Sequence, residues 1–420
     1  MVKQTPLTLL TPVREDSYEK LNEILEKFKV GLHENLNARF NQLGTLHFAR
    51  WFILSQDSFR DKTELPIPVR LVFSSNFDGD EEEHAKALVT VFPEYFDELY
   101  DCCEGYPAPQ DRNTESRKNY LMQWRINTTA FYPGAPGRSL KQITQENELK
   151  NFIENFVKQN NWNGTSAKDI HKSILAAVDN RAEFEWSKTK ATIPKKNWLN
   201  IALLFIVLIL LSPVIIIWLL ILHFFHERRD ENSLVKRSEL NDDLVARLEE
   251  DEDLFNQNQF TQVLVVKPGI MRLVTLHAFM TFTRVLVANL FVEGKLMGIP
   301  TIHFARWVLF DNNKHMMFFS NYDGSWQQYL GDFIDKSGWG LTAIFSNTKV
   351  FPKTNFLLTG GAYDEEHFLA WSRGTQVLTQ VWYSAYHHLS IKNIVNNTFI
   401  RNELRANLSE KQAQLFLKRF

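Results

Sequence analysis

Residues able to do acid–base chemistry or to bind a metal follow one another in the second half of this 420-residue chain. Asp323 is followed 65 residues later by His388, with His387 beside it, and Arg401 lies 13 residues beyond His388. A carboxylate can transfer protons, an imidazole can do so or bind a metal, and a guanidinium stabilises negative charge. Together these side chains could form one reaction centre if the fold brings them together.

The elements that must position these residues are repeated. Several short sequences occur twice: HFARW at 47–51 and 303–307, SNFDG at 75–79 with SNYDG at 320–324, and FY at 131–132 with WY at 382–383. Apolar runs ending at Pro12 and Pro268 each lie 35 residues before the His of HFARW. The chain is therefore a tandem duplication. A proline and a glycine replace the histidine pair in the first copy, so we expect any single site to lie in the second copy.

The repeated pentapeptide places a charge inside an apolar strand. On a regular strand His303, Ala305 and Trp307 share one face, and Arg306 points to the other. Such an arginine needs a carboxylate or carbonyl partner. We predict that Arg306 pairs with Asp323, and that Arg50 pairs with Asp78 in the first copy. Retention in both copies favours a structural pair, and a catalytic role for Arg306 stays open.

Each copy contains the element order strand-helix-strand-strand-helix-strand, which is the ferredoxin-like pattern. The predicted elements include a helix over 15–43, a hairpin at 46–54 and 69–75, and a helix over 80–102, with counterparts in the second copy that include a helix over 326–345. The predicted fold class is α+β: tandem ferredoxin-like modules that form an α+β barrel. The domain boundaries follow from this division: module one at 1–160, a linker at 161–196, a membrane segment at 197–226, an acidic helical linker at 227–258 and module two at 259–420.

One segment between the copies is apolar enough for a membrane. Ile201 to Leu222 contains no charged residue and, at ~1.5 Å per residue, is just long enough to cross a ~30 Å hydrocarbon layer as a helix. Pro213 at its centre favours a broken hairpin, which would keep both copies on one side; a kinked straight span is the alternative. The flanking lysines and arginines weakly favour the cytoplasm for the soluble modules. A second apolar helix, 270–292, could lie at the membrane interface or between sheets.

Composition excludes several classes of protein. The balance of 47 basic and 49 acidic residues argues against a nucleic-acid binder. The 2 cysteines are the neighbours Cys102 and Cys103, which do not indicate a disulfide scaffold. Walker, G-x-G-x-x-G, H-E-x-x-H and paired C-x-x-C motifs do not occur. The 33 phenylalanines indicate large apolar cores or an apolar cavity in the duplicated modules.

The pieces HFARW, SNYDG and VWYSAY resemble an uncharacterised group of bacterial membrane-associated proteins with tandem ferredoxin-like halves. The arrangement also distantly resembles the α+β-barrel haem proteins, dye-decolourising peroxidases and chlorite dismutases. That resemblance implies a haem with His388 as axial ligand and His387 beside it, and Asp323, Arg401 and Arg306 as catalytic residues. This sequence departs from the peroxidase G-x-x-D-G motif, because Ser320 replaces its first glycine.

Three functional hypotheses follow. The first is a membrane-attached, haem-dependent, peroxidase-like oxidoreductase acting on an apolar or lipid-derived substrate. The second is a non-catalytic lipid-binding or membrane-organising scaffold, and the third is an enzyme of the same barrel class that needs no haem. Membrane lipid, an apolar small molecule and a second copy of the chain are the expected partners, and nucleic acid is not.

Overall fold

The computed structural model describes residues 2–32, 37–59, 67–230, 238 and 240–420. It confirms an α+β protein with antiparallel sheets. The strands are β1 (Gln4–Pro12), β2 (Leu46–Leu54), β3 (Arg70–Asp78), β4 (Ala130–Pro133), β5 (Gln257–Val265), β6 (Ile302–Phe310), β7 (His315–Asp323), β8 (Thr354–Asn355), β9 (Thr359–Gly360) and β10 (Val381–Ser384). The α-helices are α1 (Tyr18–Gly31), α2 (Asn37–Asn41), α3 (Glu81–Val91), α4 (Pro93–Tyr100), α5 (Thr114–Gln123), α6 (Leu140–Gln159), α7 (Ala167–Asp179), α8 (Trp198–Phe225), α9 (Asp242–Glu250), α10 (Ile270–Asn289), α11 (Trp326–Phe345), α12 (Glu365–Gly374), α13 (Ile391–Leu404) and α14 (Glu410–Leu417).

The two halves of the chain exchange a strand. One four-stranded sheet, sheet one, has the order β1-β3-β2-β10, and the other, sheet two, has the order β4-β6-β7-β5. The edge strand β10 comes from the second half and pairs with β2, with Val381 opposite Trp51. The edge strand β4 comes from the first half and pairs with β6, with Ala130 opposite Trp307. The exchange requires both halves to lie on the same side of any membrane.

The exchanged segments also close the two sheets into a ring. Before reaching sheet two, the first segment runs beside β1, where the Ile126 N–H donates to the Thr8 carbonyl at 2.9 Å. The second segment likewise begins beside β5, where the Val377 N–H donates to the Thr261 carbonyl at 2.9 Å. Each exchanged segment thus contacts strands of both sheets.

The strand registers correct the alignment of the two copies. Gln4 lies opposite Asp78 in sheet one, and Gln257 lies opposite Asp323 in sheet two. Thr8 therefore corresponds to Thr261. The equal spacing from Pro12 and Pro268 to the two HFARW motifs is misleading, since these prolines do not occupy equivalent positions in the strands.

Both faces of each sheet are packed against apolar side chains. The outer face of sheet one, which includes Trp51, packs against helices of the first half, and the outer face of sheet two, which includes Trp307, packs against helices of the second half. The inner faces pack on each other through Phe52, Val308 and Phe319, among others. This alternation along each strand fixes which residues reach the space between the sheets.

Several predicted helices differ in extent. The helix predicted over 80–102 is divided into α3 and α4, because Pro93 has no N–H to continue the helical hydrogen bonds and begins α4 instead. The helix predicted over 15–43 contains α1 and α2, and its residues 33–36 lie outside the described residues. The helix predicted over 326–345 has the bounds of α11, but it is kinked at Ser337, whose φ of −141° and ψ of 21° are not helical.

The predicted break at Pro213 is not formed. Helix α8 is continuous over 28 residues with Pro213 inside it. Proline removes the N–H that would bond to the carbonyl four residues earlier, that of Ile209. The neighbouring Ser212 hydroxyl donates to this Ile209 carbonyl at 2.7 Å, so the helix can continue. The segment is therefore one long helix and not a hairpin.

Candidate functional site

Among the described residues, no hydrogen bond, ion pair or ring contact joins His387 or His388 to Asp323, Arg306 or Arg401. His387 and His388 lie exposed in the turn before α13, where the His387 ring packs on Phe255 at 4.5 Å. The cleft beside His387 has a volume of about 100 Å³, well below the roughly 300–1,000 Å³ of pockets that enclose drug-sized ligands. The parts of the chain that the structure describes contain no group of three or more His, Cys, Asp or Glu placed to hold a metal ion. These residues do not fit a haem group in this arrangement.

Arg401 forms contacts that hold parts of the fold together. Its Nη1 donates to the Glu146 carboxylate at 3.1 Å, and its Nε and Nη2 donate to the Thr189 carbonyl at 2.9 and 2.6 Å. The guanidinium also lies over the Trp186 ring at 5.0 Å. Arg401 thereby ties α13 to α6 and to the segment that leads towards α8.

The predicted Arg–Asp pairs are wrong. Asp323 accepts from the His303 Nε2 at 2.7 Å and from the Ile391 N–H at 2.9 Å, at the start of α13. The first half repeats this unit: Asp78 contacts the His47 Nε2 at 3.0 Å and accepts from the Leu140 N–H at 2.7 Å, at the start of α6. A carboxylate at a helix N-terminus satisfies a free N–H and interacts well with the helix dipole. Each His–Asp unit thus fixes a long helix to the end of its sheet.

A β-bulge explains why periodicity misplaced the histidines. The pairing of β6 with β7 shifts register between Ile302 and Phe304, so His303 is the extra residue. The equivalent shift occurs between Leu46 and Phe48 in β2. Because a bulge interrupts the two-residue alternation, His303 leaves the face that Ala305 and Trp307 share and turns towards the strand end. The repeated His followed downstream by the repeated Asp was the sequence signal for this pair.

A single tyrosine joins the two His–Asp units. The Tyr386 hydroxyl lies 2.9 Å from the His47 Nδ1, and its ring centroid lies 5.8 Å from that of His303. The Nδ1 of His303 has no hydrogen-bond partner among the described residues. Burial raises the pKa of Tyr386 well above its usual value, and Asp78 and Asp323 raise it further. The hydroxyl therefore stays protonated, and it donates to the His47 Nδ1 in the tautomer whose Nε2–H donates to Asp78, which makes this a buried structural network.

Two guanidinium groups lie between the sheets. Arg50 reaches from β2 to strands of sheet two, and Arg306 reaches from β6 to strands of sheet one. Both are buried with only 2% of their surface exposed. Burial lowers the pKa of Arg50 to about 9 and lowers that of Arg306 well below its usual value, with the charge of Arg50 contributing to the latter. The arginines of HFARW are thus cross-sheet contacts.

The most exposed apolar surface belongs to α8. Of its residues only Ile201 and Leu222 are buried. The exposed large apolar side chains are Trp198, Leu199, Leu203, Phe205, Ile206, Val207, Ile209, Leu210, Leu211, Val214, Ile216, Ile217, Leu220, Ile221, Phe224 and Phe225. Two described helical segments, Trp198–Arg229 and Ile270–Asn289, are long and apolar enough to cross a membrane, and the second is partly buried as a core helix would be.

Both ends of α8 are bound to the second half of the molecule. At its start, the Asn197 N–H donates to the Asn289 carbonyl at 3.0 Å, and the Lys196 ammonium lies 2.9 Å from Glu293. Further along, the Trp218 Nε1 donates to Thr275 at 2.9 Å, so α8 runs antiparallel to α10. Helix α10 in turn packs on the outer face of sheet two.

Beyond the end of α8, Glu227 is a buried anchor. It accepts from the Phe356 N–H at 2.7 Å, from the Leu357 N–H at 3.0 Å and from the Thr354 hydroxyl, and it lies 2.7 Å from the His223 Nδ1. Burial by itself would raise the pKa of Glu227, but these donors outweigh it and the net shift is downward. A carboxylate with this many donors holds the helix end in place.

Comparison with known proteins provides no family assignment. No family model matches the chain, and no match was found among the curated proteins or the solved structures. The function proposed below therefore depends on geometry and surface chemistry alone.

The His–Asp units allow a test of the site. Asp323→Asn should lower the free energy of unfolding by about 1–3 kcal/mol, because His303 and the Ile391 N–H bind different carboxylate oxygens and the amide replaces one of these with an NH2 donor. Urea titration followed by circular dichroism measures the loss. Asp332→Asn, which breaks an i,i+4 pair with Lys336 at a helix surface, is the control and should cost no more than about 0.5 kcal/mol. Equal losses in the two variants would contradict a special role for Asp323.

Proposed function

We propose that the protein attaches to a membrane surface through α8 and acts there as a non-catalytic lipid-binding or membrane-organising scaffold. The observation that carries the proposal is the row of exposed apolar side chains along α8. Exposed apolar patches larger than a few hundred Å² are rare on soluble monomers and mark sites of contact with protein or membrane. A helix that presents Leu, Ile and Phe along its length, with Trp198 at its start, suits the boundary between headgroups and acyl chains.

The attachment of both helix ends favours a position along the membrane. Helix α8 is ~42 Å long at ~1.5 Å per residue, yet Asn197 just before its start contacts Asn289 and Glu227 just after its end contacts Thr354, both in the second half. If α8 crossed a membrane, the antiparallel α10 would have to enter as well. That would bring the exposed Arg284 of α10 to the hydrocarbon layer, which is costly.

Charges flank the apolar surface at both ends. Exposed basic residues precede and follow α8: Lys188, Lys190, Lys195, Arg228 and Arg229. Basic side chains near a membrane surface attract anionic lipid headgroups, at ~1 kcal/mol each. We therefore expect stronger binding to vesicles that contain anionic lipid than to neutral ones.

A second proposal concerns the relation between the two halves of the fold. We infer that the halves are duplicated ferredoxin-like modules that form one α+β barrel. The support is that β1, β2 and β3 repeat as β5, β6 and β7 in register, and that the fourth strand of each half starts beside its own first strand. A scaffold of this kind provides a rigid body to which a membrane helix can be fixed.

Haem-dependent peroxidase-like activity on an apolar substrate stays a prediction from resemblance. His387 and His388 are exposed, and the contacts of Arg401 are structural. Neither observation favours a haem-dependent activity. An absorption spectrum of the purified chain, taken after incubation with haem, tests it through the presence of a Soret band.

Vesicle flotation combined with cysteine labelling tests membrane attachment. The full chain should float with vesicles, and Lys190→Cys and Arg229→Cys should both react with an impermeant maleimide outside intact vesicles. The native Cys102 and Cys103 are buried and should not react. Protection of one engineered cysteine would indicate a crossing helix and contradict the surface arrangement. A chain that stays soluble without detergent and does not float would contradict membrane attachment itself.

A further inference from the structure

A short hairpin beside the end of α8 has a backbone that does not suit its side chains. In the turn between β8 and β9, Phe356 and Leu357 both have positive φ, of 53° and 60°. The Leu358 N–H donates to the Asn355 carbonyl at 3.2 Å and closes the turn. Because a side chain clashes with its own backbone at positive φ, hairpin turns with two such residues usually contain Asn and Gly. This turn therefore has a conformational cost.

The other run of consecutive non-glycine residues with positive φ, within the described part of the chain, uses better suited side chains. It is the turn between β6 and β7, where Asp311, Asn312 and Asn313 have φ of 50°, 55° and 65°. Asp and Asn are the residue types besides glycine that adopt this conformation most readily. The presence of a bulky apolar residue at Phe356 thus needs an explanation of its own.

Glu227 explains the backbone of the turn but not this side chain. The Phe356 N–H donates to the Glu227 Oε2 at 2.7 Å, and the Leu357 N–H donates to its Oε1 at 3.0 Å. Successive N–H groups of a turn form a concave site for an anion, and asparagine or glycine would offer the same N–H. The Leu357 side chain is fully buried and belongs to the core. Only the identity of Phe356 is left without a structural reason in the turn.

The tip of the hairpin continues the apolar surface of α8. One face of the Phe356 ring stacks on His223 of α8, with 3.9 Å between the ring centroids, yet Phe356 is 38% exposed. Leu358 on the same turn is exposed as well. On the side of α8, the exposed Phe224 lies 5.0 Å from the His223 ring, and the exposed Phe225 follows it. The exposed apolar side chains of the two elements are therefore neighbours.

Basic side chains border this apolar tip. Lys353, Arg228 and Arg229 are all exposed. The Lys353 ammonium donates to the Arg228 carbonyl at 3.4 Å, and the Arg228 guanidinium lies over the Phe224 ring at 5.4 Å. Exposed apolar residues beside basic ones are typical of surfaces that enter the headgroup region of an anionic bilayer.

We propose that the tip of the β8–β9 hairpin is a second membrane contact, in which Phe356 and Leu358 enter the boundary between headgroups and acyl chains and Lys353 binds anionic headgroups. The inference rests on the proposed attachment through α8. Because Glu227 fixes the turn to the end of α8, both elements can contact the same bilayer. Contact of the Phe356 ring with lipid offsets the conformational cost of a phenylalanine at this position.

Site-specific fluorescence tests which elements enter the bilayer. Leu358→Cys reports on the hairpin, Leu210→Cys reports on α8, and Leu415→Cys on α14 is the control; the native cysteines are buried. Each full-length variant is labelled with a maleimide dye and reconstituted into vesicles of three parts phosphatidylcholine and one part phosphatidylserine. We expect phosphatidylcholine with brominated acyl chains to quench the dye at Leu358 and at Leu210 but not at Leu415.

The three reporters separate the hairpin contact from the attachment itself. Quenching at Leu210 alone would overturn the hairpin contact and leave attachment through α8 intact. Quenching at Leu358 without Leu210 would support the hairpin and contradict α8. Quenching at neither position would contradict both proposals.

Phe356→Asn tests the contribution of the ring. Asparagine suits the positive φ and keeps the N–H for Glu227, so the urea midpoint of unfolding should change little. We expect the vesicle partition coefficient to fall about tenfold, since transfer of a half-buried phenylalanine ring from water contributes about that factor. Tyr18→Asn on α1, where the side chain is also 38% exposed, is the control and should partition as wild type does. Unchanged partitioning of Phe356→Asn, or a large fall in its urea midpoint, would overturn the proposal.

Discussion

Substitution of Leu210 and Ile217 by glutamate is expected to release the protein from lipid vesicles, with the partition coefficient falling about a thousandfold. These side chains lie seven residues apart on one face of α8 and are 73% and 57% exposed. A charged side chain in place of an apolar one at the boundary between headgroups and acyl chains costs about 2 kcal/mol per site. This cost is lower than that at the bilayer centre. Flotation with anionic vesicles measures the fraction bound.

A matched control distinguishes membrane contact from general solubility. Val30→Glu with Leu415→Glu introduces the same charge at apolar side chains that are 56% and 54% exposed, but on α1 and α14. This control variant should float as wild type does. Circular dichroism should show both variants folded, because none of the four side chains is buried. Retained flotation of the α8 variant, or equal release of the control, would argue against α8 as the attachment surface.

Arg50→Met should lower the free energy of unfolding by about 4 kcal/mol, because it removes several hydrogen bonds to buried acceptors on two strands of sheet two. The carbonyls of Phe260 and Ser320 lose this donor, and the Asn321 Oδ1 keeps only the Trp382 Nε1 at 3.0 Å. Methionine fills most of the volume, so the loss reports the hydrogen bonds more than a cavity. Urea titration with two optical probes measures the change.

Arg70→Met is the control for this prediction. Arg70 forms an ion pair with Asp311 at 2.9 Å near the surface, and Asp311 keeps His315 as a second partner. We expect a loss of at most about 1 kcal/mol. If Arg50→Met were tolerated as well as Arg70→Met, the cross-sheet contacts of Arg50 would not stabilise the pairing of the sheets.

Local patterns in the sequence were enough to predict the long strands and the position of the apolar helix. The repeated HFARW and SNxDG sequences indicated matching strands in both halves, and these strands are β2, β3, β6 and β7. The uncharged run between the halves indicated a membrane-length helix, and its composition also accounts for the exposed surface of α8. Such predictions succeed because strand alternation and apolar run length are properties of neighbouring residues.

The same patterns could not predict contacts between residues that are far apart in the sequence. The partners of Arg50 and Arg306 lie across the space between the sheets, more than 200 residues away in sequence. The bulges at His47 and His303 interrupt the alternation from which their direction was predicted. The peroxidase-like order of Asp323, His388 and Arg401 indicated one site, whereas in the fold Asp323 binds His303 and the start of α13, and Arg401 binds Glu146 and Thr189.

By itself, the sequence determined that this protein is an α+β chain with repeated short motifs in its two halves and one long apolar helix between them. Only the tertiary structure decided that the halves exchange edge strands, that α8 passes unbroken through Pro213 and that both of its ends bind the same body. The physical reason is the range of the interactions. Helix and strand formation depends on residues a few positions apart, whereas strand exchange and the burial of two arginines depend on which sheet edges and faces meet after the chain has folded.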